Sequence, residues 1–165
     1  MNRLVLAALA ALAFGTAPIC AVSAQEAIVS AADPESLRAQ FSGWGYQPTA
    51  MTVDGGIPIF TANISGVRTV IVFGGCTAAR NCNHIVLLAT YSDVVNPPYD
   101  WLNRQNFDFN LVTAMRNENG LLNLRSGVIL GNGVRTSTLR FAIQDWIAVN
   151  GEVTRRAREA GIVRK

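Results

Sequence analysis

Charge is scarce in this 165-residue chain: Asp, Glu, Lys and Arg together make up only 15 % of it. Histidine occurs once, as His84, lysine is almost missing, and aromatic residues are held to 8 %. Each shortage excludes something. Low charge beside 50 % hydrophobic residues excludes disorder as the dominant state, which needs the opposite balance. So little lysine, with 14 glycines in no three-residue period, excludes a coiled coil and collagen. A single histidine excludes the His-Glu-x-x-His zinc proteases, and no Gly-x-Ser-x-Gly is present. Gly131-Asn132-Gly133 lacks the further glycine and the Lys-Ser/Thr of a phosphate loop.

What is there begins with apolarity, gathered at the N-terminus. Met1-Asn2-Arg3 carries one positive charge, Leu4 to Phe14 is apolar and Ala-rich, and Val22-Ser23-Ala24 precedes Gln25-Glu26. A basic start, an apolar run and a small-residue cleavage site predict a signal peptide over 1–24. The alternative is a retained anchor. It is disfavoured because the run is short for a ~30 Å bilayer and is interrupted at Gly15 and Pro18. Cleavage leaves 141 of the 165 residues and lowers the formal charge from +3 to +2, too little to imply nucleic-acid binding. No later stretch approaches 18 apolar residues, so no membrane span is expected in the mature chain. The expected location is periplasmic or secreted.

Cys20 falls in the leader, which leaves Cys76 and Cys82. An even pair in an exported chain reads as a disulfide, worth about 2.4 kcal/mol by loop entropy. A metal site formed with His84 would lack a fourth ligand, and catalytic thiols are normally spaced Cys-x-x-Cys. No metal and no cofactor are expected.

Residues 25–32 read as a flexible segment, and 33–165 as one domain. Asp33 and Pro34 start a helix near 34–42, which Gly43 and Gly45 stop. Strand-like runs follow at 50–53, 57–64, 68–73 and 85–91, separated by turn residues. Asn96-Pro97-Pro98 breaks the pattern, and a short helix is expected over 99–105. Two further runs, 109–116 and 121–130, flank Asn117-Glu118-Asn119-Gly120. In the second, Leu122 and Leu124 alternate with Asn123 and Arg125, the pattern of a sheet with one wet face. Leu139, Ile143, Trp146, Ile147, Val153 and Ala157 then recur at helical spacing from Thr136 to about Ala160. The order is α-β-β-β-β-α-β-β-α, an α+β fold with an antiparallel sheet and helices packed on one face.

Two aromatic clusters lie beside loops, Trp44-Gly45-Tyr46 and Tyr99-x-Trp101. Such rings either bind a partner or plug the gap between helix and sheet. Asp100, Asp108 and Glu118 would serve a small exported hydrolase if two of them faced each other in a cleft; otherwise they are ordinary solvated acids. The arginines from Arg155 to Arg164 are diluted by Glu152 and Glu159 and read as a solvated, partly frayed helix end.

Taken together, these motifs resemble a known family. A helix ends in Gly45-Tyr46, Asp54-Gly55-Gly56-Ile57-Pro58 makes a turn, and Phe73-x-x-Cys76 is followed by Cys82. A short helix carries Asn103-Arg104, and Gly131-Asn132-Gly133 precedes a helix with Trp146. Over roughly 33–155 the chain resembles the exported branch of the YbjN-type family, labelled sensory-transduction regulators. The resemblance implies a fold like that of type III secretion chaperones, often paired as homodimers, with no enzymatic activity. It implies a chaperone-like or regulatory module acting on a protein or peptide partner; the candidate binding residues are Asn103 and Arg104 of the family's helix together with the clustered aromatics Trp44, Tyr46, Tyr99 and Trp101. The chain departs from that pattern in having Leu102 before Asn103-Arg104, Asn106-Phe107-Asp108-Phe109 after it, and Arg125-Ser126 where relatives often place an acid.

Overall fold

The structure is a computed structural model and describes residues 26–164; the leader 1–24, with Cys20, lies outside the described residues. The fold is α+β. In chain order the elements are β1 (Ile28–Val29), α1 (Pro34–Gly43), β2 (Gln47–Pro48), β3 (Thr52–Asp54), β4 (Ile57–Ile64), β5 (Val67–Gly74) and β6 (His84–Val95). Then come α2 (Tyr99–Asp108), β7 (Thr113–Arg116), β8 (Leu121–Ile129), β9 (Val134–Arg135) and α3 (Thr136–Glu159). The main sheet runs β2-β4-β5-β6-β8-β7, with β3 also paired to β4 and every pairing antiparallel.

The inner face of this sheet carries the core. Phe60, Ala62 and Ile64 from β4, Thr69, Ile71 and Phe73 from β5, Ile85, Leu87 and Ala89 from β6, and Leu122 and Leu124 from β8 are buried at alternate positions. All three helices lay apolar stripes there: Leu37 and Phe41 from α1, Leu102 from α2, and Leu139, Ile143, Trp146 and Val153 from α3. Phe41 meets Phe60 edge-on at 5.4 Å, a geometry that adds about 1 kcal/mol to the area buried.

A buried polar ladder sets where α3 sits. The Trp146 indole N–H donates to Thr69 Oγ1 at 3.1 Å, and the Tyr91 hydroxyl donates to Asn150 Oδ1 at 2.6 Å. Asn150 in turn donates to the Trp146 carbonyl one turn back. Each partner satisfies the other where water is excluded.

Several elements differ from the sequence expectation. Residues 25–32 were expected to be flexible, yet Ile28 and Val29 pair with Arg135 and Val134, and Val29 and Ala31 are buried. Thr136 donates through its backbone N–H and its hydroxyl to the Ala27 carbonyl. Glu26 accepts from the Ser137 N–H at the start of α3, where a carboxylate satisfies a free helix-end donor and the helix dipole. Ser137 thereby holds the Glu26 carboxyl below its usual range. Gly133 permits this closure, since a Cβ there would lie 2.5 Å from Ile28 Cγ2. Strands β1, β2 and β9 are two residues each, too short for periodicity to register.

The run 109–116 is strand only from Thr113, because α2 continues to Asp108 and Phe109 caps it. The far end of α3 is also not frayed: Arg164 N–H donates to the Asp93 carbonyl, and Val163 bridges to Val94.

Candidate functional site

Cys76 and Cys82 form a disulfide. The loop they close is docked on both sides. Asn81 N–H donates to the Ala32 carbonyl, while the Asn83 carbonyl accepts from Leu130 and Gly131. His84 opens β6, its imidazole lying across Gly74, where a Cβ would sit 2.1 Å from Nε2. Its Nδ1 is 2.5 Å from Asn83 Oδ1.

The six candidate binding residues fall into two groups. Trp44 and Tyr46 are half-buried at the α1 end, 5.7 and 6.0 Å from the Phe41 ring, with the Arg140 guanidinium 5.2 Å above Trp44. They fill the gap between α1 and the sheet. Tyr99, Trp101, Asn103 and Arg104 lie on α2, which packs on β7 at the other edge of the sheet. Five inter-strand steps, about 24 Å, separate the two groups, so they do not form one site. Tyr99 is exposed beneath Arg116, whose guanidinium carbon is 4.3 Å from the ring centroid. Trp101 is half-buried against the core, while Asn103 and Arg104 are exposed.

The three acids are also dispersed. Asp108 is held by Arg156 in the groove between α2 and α3. Glu118 lies in a different groove with Tyr99, Arg116 and Asn117, and Asp100 is exposed in the first turn of α2. Arg156 bonds Glu152, the buried Gln105 and Asp108, and its guanidinium stacks 4.8 Å over Phe109. It fastens α2 to α3. Hydrogen bonds from Arg155 and Arg156 pull the Glu152 carboxyl down to about 2.

The free edge of β7 is closed by α2. The Asn106 side chain accepts from Ala114 N–H at 2.6 Å and donates to the Ala114 carbonyl at 3.0 Å. That amide takes the place of another strand and blocks edge-to-edge pairing.

The outer face of the sheet, opposite the helices, carries aliphatic side chains, of which Ile59, Val70, Val72 and Leu88 are half-exposed and Val86 is buried among its neighbours. The registers align Ile59, Val72, Val86 and Gly127 across four strands, and Val70, Leu88 and Arg125 in the next row. Ile57 and Ile129 continue the face toward His84, with 42 % and 81 % of their surfaces exposed. Sequence reasoning passed over this surface, although its signal was present. Runs such as Val70-Ile71-Val72-Phe73 and Ile85-Val86-Leu87-Leu88 are apolar at every position, the mark of strands covered on both faces.

No protein-family model, curated protein or solved structure matches the chain. Among the described residues no helix is long and apolar enough to cross a membrane, and no group of three or more His, Cys, Asp or Glu side chains is placed to hold a metal.

Proposed function

We propose that the mature chain is an exported, non-catalytic binding module, chaperone-like or regulatory, that acts on a protein or peptide partner. The observation that carries this reading is the outer sheet face, aliphatic across β4, β5 and β6, over which no helix packs among the described residues. Exposed aliphatic surface of this kind marks interaction sites. The leader-like N-terminus and the Cys76–Cys82 disulfide support residence in an oxidising compartment. The resemblance to the YbjN-type family points the same way.

The test is affinity capture from periplasmic extract with the oxidised mature protein, in parallel with an Ile129→Glu variant and a turnover panel of glycans and esters. A protein captured by the first and lost from the variant is the expected result. Turnover on the panel with no such protein would overturn the proposal in favour of a hydrolase.

A further inference from the structure

From the outer sheet face we infer that this module takes a single amphipathic helix whose apolar stripe is bordered by carboxylates; the inference rests on the binding-module reading and names its partner's chemistry. The apolar block consists of Ile57 and Ile59 on β4, Val70 and Val72 on β5 and Leu88 on β6, floored by the buried Val86, with Ile129 on β8 beyond His84. Four strands about 4.8 Å apart span ~14 Å, and three side-chain rows two residues apart span another ~14 Å. That width suits one helix of ~10–12 Å diameter, and that length about nine helical residues at 1.5 Å each. Gly127 deepens the block beside Val86, since a Cβ added there would meet nothing within 4 Å.

Charge chooses the partner. Arg125 stands in the Leu88 row and Arg68 one row beyond, opposite Asn63. Both are exposed, and neither forms an ion pair among the described residues. The carboxylate on this face is Asp54, at the far corner in the β3–β4 hairpin opposite Ile57. Asn123, in the row beyond Arg125, has a buried side-chain oxygen without a hydrogen-bond partner. A second copy of this chain fits less well. It would set Arg68 and Arg125 against the same arginines of its partner.

The probes are two synthetic 14-residue helical peptides with the same leucine stripe, one bordered by glutamates and the other by lysines. Binding to the oxidised mature protein is followed by fluorescence anisotropy at low salt and at 0.5 M salt. The glutamate peptide is expected to bind at least about tenfold more tightly than the lysine peptide, and to lose that margin at 0.5 M salt. Arg125→Glu and Arg68→Glu, both at exposed positions that leave the core intact, should each reverse part of the preference, and Ile129→Glu should weaken both peptides. Equal binding of the two peptides overturns the charge assignment while leaving the binding-module reading standing. A concentration-dependent dimer in sedimentation that Ile129→Glu disperses would assign the face to a second copy and overturn the inference. Binding to phosphatidylglycerol vesicles lost in the same variants, with neither peptide bound, would assign the face to a lipid surface and overturn both readings.

Discussion

Replacing Tyr91 with Phe tests the ladder that seats α3 on the sheet. The substitution keeps the ring in place and removes only the hydroxyl that donates to Asn150 Oδ1 at 2.6 Å. Asn150 is fully buried, and its amide N–H is already committed to the Trp146 carbonyl. The cost is that of leaving the buried Asn150 acceptor without its donor, about 1–3 kcal/mol. At a urea m-value near 2 kcal/mol/M that moves the unfolding midpoint down by about 1 M. Asn150→Ala orphans the hydroxyl instead, and the double variant removes both groups. The Tyr91–Asn150 pair should therefore show a coupling of about 1–2 kcal/mol in a double-mutant cycle at pH 7. A midpoint shift under about 0.2 M for Tyr91→Phe, or a coupling near zero, would refute the reasoning. The phenol adds a pH signature, because burial, and after it the charge of Asp93, pushes its pKa up to about 12. A folded pKa above the unfolded value of about 10 means a contribution that is whole below pH 10 and fades as pH rises toward 12. Absorbance at 295 nm should show one tyrosine ionising near pH 12 in the wild-type protein, a step that Tyr91→Phe lacks.

Four further outcomes are expected. Replacing Cys76 and Cys82 with Ala should cost about 2.4 kcal/mol in denaturant unfolding, and neither thiol of the oxidised wild-type protein should take up a maleimide before reduction. Glu152, held at about 2 by its arginines, has a folded pKa below its unfolded one. Its contribution is therefore complete above pH 4.5 and lost as pH falls toward 2, so the stability deficit of Glu152→Gln should shrink over that window. Arg156→Gln should accelerate amide exchange along 101–108 while sparing β5 and β6, because that guanidinium joins α2 to α3. Deleting 26–31 should lower stability and speed exchange at 134–139, because Glu26, Ala27 and Val29 complete the start of α3 and pair with β9; unchanged exchange there would show the segment to be dispensable.

The fold class was legible early because it rests on local chemistry. The strand over 57–64 and the helix from Thr136 follow from periodicities that each segment carries alone. The disulfide followed from counting cysteines. The candidate site was only partly legible. Trp44 and Tyr46 sit where a sequence reading places aromatics, beside a helix end, and their contact with Phe41 is local to the close of α1; what the sequence did not show is that Phe41 in turn packs on Phe60 of the sheet. The uninterrupted apolar runs of β5 and β6 announced a second apolar face; which strands flank it depended on the crossing from β6 to β8.

By itself, then, the sequence determined the paired cysteines, the long closing helix and the alternation that makes a sheet, since each is written in neighbouring residues. Only the tertiary structure decided that Val29 and Ala31 belong to the core, that Asn106 closes an edge and Asn150 anchors a helix, and that Arg68 and Arg125 border one apolar face. Those outcomes join residues from eight to more than a hundred positions apart, and a chain's local pattern does not encode which distant partners burial and hydrogen bonding will bring together.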